Sequence, residues 1–369
     1  MKKIYDQIDT PALIIDKDIA IKNIEMMQNI ANKHGVVLRP HIKTHRMSYF
    51  AKIQIDKGAT GIACAKIGEA EVMAANGIKD ILIANEIVGE MKYTRLKKLH
   101  REIKIRTGID NQVQIDQIEK IFEGEAKPLE VLIELEVGEN RSGIITDEQL
   151  VNIVEYIKTK KNVVLKGIFS HEGHTYKADN VQDCVEKAQI AYKRTIGAAE
   201  IIKSLGVEID TISIGATPSI MNGAFLEGIT ELRVGTYIFF DVGQASAIND
   251  FSKCAATVLG TIISQPTKDR IVLDTGAKAL VSQNREGGIC STGGFGYVKN
   301  YDNVRIGALF DEHGLIYDEE FSKKVQIGDK IEIIPSHICP TVNLYDEAYI
   351  VSQDKIVEII SIDCRGKSQ

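Results

Sequence analysis

At 369 residues the chain is long enough for two domains and a sizeable core. Its 44% apolar and 26% charged residues are ordinary for a water-soluble protein, and a net charge of −6 argues against a nucleic-acid partner. No apolar run reaches the ~18 residues of a membrane span, residues 1–6 lack the apolar stretch of a secretory leader, and six cysteines without a CxxC pair suit the reducing cytoplasm.

Along the first two-thirds of the chain, short β-like runs alternate with helical stretches. Residues 12–15 (Ala-Leu-Ile-Ile) read as a strand. Residues 18–33 then place Ile21, Ile24, Met27, Ile30 and Ala31 at helical spacing, with Gly35 as a stop. Further strands are predicted at 36–38, 61–65, 81–84, 103–109, 129–137, 163–169 and 209–214. Helices are predicted at 68–76, 91–100, 147–159 and 181–205. About eight β/α units imply a parallel sheet, and their number favours closure into a (β/α)8 barrel over an open doubly wound sheet. The pattern changes near Asp250. Strand-like runs at 256–263, 270–273, 305–310 and 330–334, with a Gly328-Asp329 turn, predict a smaller all-β domain. The expected division is a barrel over 1–245 and a β-rich domain over 246–369.

The most informative segment is Leu38-Arg39-Pro40-His41-Ile42-Lys43-Thr44-His45. If the preceding strand continues, Arg39, His41, Lys43 and His45 alternate onto one face, at the strand end where β/α barrels gather catalytic groups. Crowded basic groups favour a neutral amine on Lys43, which Schiff-base chemistry requires. A solvated basic loop is the competing interpretation.

These residues, with Thr10-Pro11-Ala12, Ala63-Cys64-Ala65-Lys66-Ile67-Gly68-Glu69 and Asp274-Thr275-Gly276, resemble the D-threonine aldolase and D-serine dehydratase family, fold-type III pyridoxal-phosphate enzymes with an alanine-racemase-like barrel. The resemblance covers nearly the whole chain. It implies that Lys43 carries pyridoxal 5'-phosphate, with His41 beside it. Two strand-end segments resemble family phosphate loops: 213–219, with Gly215 and Thr217, and 231–237, with Gly235, Thr236 and Tyr237. Backbone N–H groups at such turns suit a phosphate. Arg141 resembles the arginine near the cofactor ring oxygen, where a guanidinium stabilises negative charge. His174 matches a pocket histidine able to act as a general base or as a structural hydrogen-bonder.

His337 and Cys339 form a His-x-Cys pair. On an extended segment both side chains project from one side, and imidazole with thiolate suits Zn2+. Spacing alone leaves the pair unremarkable. The resemblance implies a divalent metal, Zn2+ or Mn2+, held beside the cofactor with open positions for substrate. It further implies a homodimer acting on a small amino acid, while composition, charge and cysteine usage point to a cytoplasmic protein with neither nucleic acid nor membrane as partner. The favoured activity is cleavage of a β-hydroxy-D-amino acid to glycine and an aldehyde. Dehydration to a keto acid and ammonia is the alternative, followed by racemisation or cofactor binding without catalysis.

Overall fold

A computed structural model describes residues 3–369. The chain divides into two compact units. One comprises Met26–Lys43, Ser48–Gly235 and Gly366–Gln369; the other comprises Met1–Glu25, Thr44–Met47 and Thr236–Arg365.

The first unit is built on eight parallel strands. Their order around the sheet is Val37–Leu38, Glu231–Leu232, Thr211–Ile214, Val163–Ser170, Leu129–Leu135, Lys104–Ile109, Asp80–Glu86 and Ile62–Cys64. The two ends of that order meet. Thr60 N donates to Leu38 O, Ala63 N to Pro40 O (2.8 Å) and Ile42 N to Ala63 O (2.9 Å), and His41 bridges Ala63 in parallel. The sheet is therefore a closed (β/α)8 barrel. Its strands, covered by helices, carry continuous buried runs such as Ile81-Leu82-Ile83 and Val131-Leu132-Ile133.

Local sequence sets the helix starts. Asn111 and Gln114 cap the helix Gln112–Ile121 reciprocally, as Thr146 and Gln149 cap Asp147–Lys158. Toward the N-terminal ends of the barrel strands, buried arginines tie neighbours together. Arg39 donates to Glu231 (2.7 Å) and Asp80 (2.6 Å), and Arg106 donates to Glu130 (2.6 Å) and Thr211 (2.9 Å). These pairs fill that end of the barrel with satisfied charge and leave the C-terminal end for chemistry.

The second unit is a nine-stranded, largely antiparallel sheet. The long strand Ala256–Ser264 pairs with Ala12–Asp16, Arg270–Leu273 and Lys330–Pro335. Its core packs Val258, Ile262, Ile271, Leu273, Ile316 and Ile333.

Two expectations change here. Residues 12–15 do form a strand, but it pairs with Ala256–Ser264 and Glu347–Ser352 in the β unit and is not a barrel strand. An apolar run specifies burial, and its partners lie over 200 residues away. The remaining barrel strand is Glu231–Leu232, two residues long and opening on a carboxylate. It is too short to show periodicity.

Candidate active site

The barrel unit gathers Lys43, His171, Arg141 and Arg233 at the C-terminal ends of its strands. After Leu38 the chain stays extended as far as His41, whose N–H donates to Val234 O (3.0 Å). It then turns over 42–45. The buried His41 ring accepts the Lys43 N–H on Nδ1 (3.2 Å), which shapes the turn that carries the half-buried lysine. The expected alternation of Arg39, His41, Lys43 and His45 on one face therefore ends at His41. Arg39 points into the ion pairs described above. His45 belongs to the β unit, where its Nδ1 accepts Met47 N–H (3.1 Å) and its ring meets Phe239 edge-on. A closing turn, rather than a continued strand, is what the barrel needs at that point.

His171, which sequence reasoning passed over in favour of His174, follows the strand Val163–Ser170. Its Nδ1 lies 2.5 Å from Gly215 O. A carbonyl oxygen only accepts, so Nδ1 carries the hydrogen. Burial, reinforced by the nearby Lys43, Arg141 and Arg233 cations, pushes this imidazole well below its ordinary pKa and keeps it neutral. The signal that could have identified it is its position directly after a long buried strand.

Gly215 lies in the turn 213–219, against the neighbouring strand end. A side-chain carbon there would stand 2.7 Å from the Arg233 carbonyl. The buried Glu172 carboxylate organises this turn. It accepts Ser219 Oγ–H (2.8 Å) and Tyr192 O–H (2.9 Å). Thr217 begins the short helix Thr217–Met221 with Pro218 in its first turn. Of the other expected phosphate contacts, Gly235 ends the barrel unit, whereas Thr236 and Tyr237 belong to the β unit.

Arg141 lies 3.5 Å from Glu134 and 3.3 Å from Glu139, with about half its side chain exposed. Arg233 is buried, donates to Ser170 O (2.7 Å) and lies over the Phe169 ring (4.9 Å). Its Nε–H has no partner among the described residues. His174 packs against Gly138, where a Cβ would approach its ring to 3.0 Å, and its buried Nδ1 has no partner among the described residues. In return Glu139 occupies the space a Cβ on Gly173 would fill. The turns after two barrel strands thus interlock through paired glycines.

In the β unit, the expectation that His337 and Cys339 project from an extended segment is corrected. His337 is the N-cap of the helix Ile338–Val342, and Cys339 lies in its first turn. Asp241 fixes that helix by accepting Ile338 N–H (3.1 Å). A Pro335-x-x-x-x-Pro340 stretch suggests no helix, and the cap that starts one comes from about a hundred residues away. His337 Nδ1 meets Gln283 Oε1 at 2.6 Å, so Nδ1 bears the hydrogen and Nε2 the lone pair. Cys339 Sγ is 3.3 Å from Thr44 Oγ1 and 3.8 Å from Thr236 Oγ1. No group of three or more His, Cys, Asp or Glu suited to a metal occurs among the described residues. An ion at this pair would have two protein ligands and open positions.

A closed β/α barrel with a lysine and two arginines at its mouth, joined in sequence to a β-sheet domain, defines an alanine-racemase-like class. Residues 15–242, more than half of the chain, match the alanine racemase N-terminal domain family, and residues 255–351 match a serine dehydratase domain family; the chain belongs to this family. It is similar to the D-threonine aldolase of Arthrobacter sp., with 31% identity over 368 residues, 98% of this chain and 94% of the relative. It is also similar to the D-threo-3-hydroxyaspartate dehydratase of Delftia sp. (strain HT23), with 29% identity over 90% of this chain and 92% of that one. The crystal structure of D-threonine aldolase from Filomicrobium marinum superposes with a TM-score of 0.88 at 28% identity, covering 97% of this chain and 96% of that chain. Among the described residues no helix is long and apolar enough to cross a membrane.

Proposed function

We propose that this chain is a pyridoxal-phosphate- and divalent-metal-dependent lyase that splits β-hydroxy-D-amino acids into glycine and an aldehyde. The observation that carries the reading is the near-complete match to a D-threonine aldolase, in a chain that also supplies a lysine, a glycine turn and a His-x-Cys pair. The residues fit the cofactor. Gly215 opens a cradle that a Cβ would fill, and Arg233 keeps a buried N–H without a partner among the described residues. The His337 imidazole and Cys339 thiol form a nitrogen–sulfur donor set suited to Zn2+ or Mn2+, with zinc the softer match. A variant of a D-threo-3-hydroxyaspartate dehydratase, 25% identical to this chain, has been solved in a metal-free form.

In this reading Lys43 holds the cofactor carbonyl carbon. Gly215, Thr217, Gly235, Thr236 and Tyr237 receive its phosphate, and His41 and Arg141 contact its ring. The cofactor supplies an electron sink for charge at Cα, and the metal, on His337 and Cys339, supplies a Lewis acid for the β-hydroxyl. The protein groups then have defined duties. His174, whose buried Nδ1 has no partner among the described residues, takes the β-hydroxyl proton as the Cα–Cβ bond breaks. Lys43 returns a proton to Cα to complete glycine. His171 stays neutral against Gly215 O and keeps the turn in place without adding charge. Within the β unit, Thr44 touches the Cys339 thiol.

A second reading is favoured by the serine dehydratase match over residues 255–351, the segment that holds His337 and Cys339. There Lys43 would remove the Cα proton, the β-hydroxyl would leave, and a keto acid and ammonia would result. A product assay on D-threonine and D-serine decides. Glycine with an aldehyde supports the first reading, keto acid with ammonia the second, and neither product would overturn both. We further propose a homodimer, following the resemblance, in the cytoplasm, following the cysteine usage. Light scattering that finds a fully active monomer at assay concentration would refute it.

A further inference from the structure

We propose that Glu172 is a positioning residue for the cofactor phosphate: with Tyr192 and Ser219 it clamps the 213–219 turn from behind, and so sets the preference for a phosphorylated cofactor over its unphosphorylated aldehyde. The inference rests on the reading of 213–219 as the phosphate turn. None of the three residues belongs to the set assigned above.

Every part of the clamp lies in the barrel unit. Glu172 follows the strand Val163–Ser170 and stands at the N-cap of the 3-10 turn Gly173–Lys177. Its carbonyl oxygen accepts Thr175 N–H (3.1 Å) and Thr175 Oγ1–H (2.7 Å), which fixes the backbone that carries the side chain. The side chain is fully buried. A buried carboxylate persists only where its oxygens are satisfied, and here the donors come from two places. Tyr192, on the helix Val181–Ser204, donates to Oε1 at 2.9 Å. Ser219, at the far end of the turn, donates to the same oxygen at 2.8 Å, and Gly215 N–H faces Oε2 at 3.4 Å. Burial and the Glu172 charge hold the Tyr192 phenol well above its ordinary pKa, so it stays a donor.

The turn needs an outside anchor. Ala216, the N-cap of Thr217–Met221, has no side-chain oxygen with which to cap that start. Consecutive residues supply the anchor instead: His171 engages Gly215 by its carbonyl (2.5 Å), and Glu172 engages it by its N–H. Ser219 is tied to the same carboxylate, so both ends of the turn refer to one point, and Tyr192 secures that point to a long helix. A turn already in shape receives a phosphate without first being ordered. Were that shape populated only about a tenth of the time, apparent affinity would fall about tenfold. In the reading above, the cofactor ring and aldehyde are received at His41, Arg141 and Lys43, so the loss is confined to the phosphate.

The test titrates full-length protein, freed of cofactor by dialysis against hydroxylamine, with pyridoxal 5'-phosphate and with pyridoxal, following the Schiff-base absorbance. Wild type should prefer the phosphorylated aldehyde. Tyr192→Phe and Ser219→Ala each remove one hydroxyl and keep the side chain's shape. Each should weaken pyridoxal 5'-phosphate binding about tenfold, as loss of one hydrogen bond to a charged group predicts, and shift pyridoxal binding by less than about twofold. The double variant should lose less than the product of the two, because both hydroxyls act through one carboxylate. Glu172→Ala should lose at least as much as either single variant; should it not fold, the hydroxyl variants decide. Equal weakening toward both aldehydes, as a merely structural role would give, overturns the proposal, as do unchanged affinities or losses that multiply in full. Wild type without a preference for the phosphorylated aldehyde refutes the phosphate-turn reading, and this proposal with it. Wild type with that preference, alongside variants that keep it, refutes the proposal alone.

Discussion

Substituting Gly215 by alanine tests whether close approach of two strand ends builds the proposed phosphate turn. The new Cβ would stand 2.7 Å from both the carbonyl carbon and oxygen of Arg233 and 3.1 Å from Val234 N. Non-bonded carbon contacts settle near ~3.5 Å, so the strand ends must part by about 0.8 Å. The obstacle is backbone, fixed by Arg233 N–H to Ile214 O (2.7 Å) and by the Ser213/Glu231 and Ile214/Leu232 pairings. It cannot rotate away as a side chain would. Overpacking of this kind costs about 1–3 kcal/mol, which lowers the thermal midpoint of a domain this size by roughly 3–10 °C. Displacement of the 213–219 turn should also weaken pyridoxal-phosphate binding about tenfold or more, equivalent to ~1.4 kcal/mol. Gly197, inside the helix Val181–Ser204, is the internal control, because a Cβ there meets nothing within 4 Å. Gly197→Ala should stabilise by about 1 kcal/mol through helix propensity and leave cofactor binding alone. Differential scanning fluorimetry and cofactor titration by absorbance read both effects. A Gly215→Ala protein with wild-type midpoint and affinity would refute the argument from strand contact.

Lys43→Ala should lose both turnover and the absorbance near ~420 nm expected of a lysine-bound cofactor; borohydride labelling of a different lysine in the wild type would show the assignment to be wrong. Cys339→Ala should lower metal affinity, measured by competition with a chelator, far more than it lowers the thermal midpoint, and Cys339→Asp should shift preference toward Mn2+ or Mg2+; unchanged affinity in Cys339→Ala would remove the thiol from the metal site. Folded His171 holds its proton only well below the ~6.5 at which an unfolded histidine takes one up, so stability should fall as pH drops below 6.5. His171→Gln should lose that slope in acid unfolding, and an identical slope in both proteins would place the titration elsewhere.

Much of the barrel was legible because its cause is local. Buried runs such as Ile81-Leu82-Ile83 read as strands wherever they sit, and helices such as Asp147–Lys158 carry their own caps. Lys43 and the His-x-Cys pair stood out because each lies in a short segment that resembles a family. The sequence alone did not settle which sheet a strand joins. Ala12–Asp16 looks like any buried strand, and its place beside Ala256–Ser264 follows from hydrogen-bond partners remote in the chain. Nor did sequence spacing give the direction of side chains beyond a strand end. The alternation through Lys43 stops because closing the barrel requires His41 to bridge Ala63, and Cys339 lies in a helical turn because Asp241 caps it from afar. His171, Glu172 and Arg233 share this origin. Each carries an unremarkable residue letter, and only tertiary contact buries its polar atoms beside the groups that fix its direction.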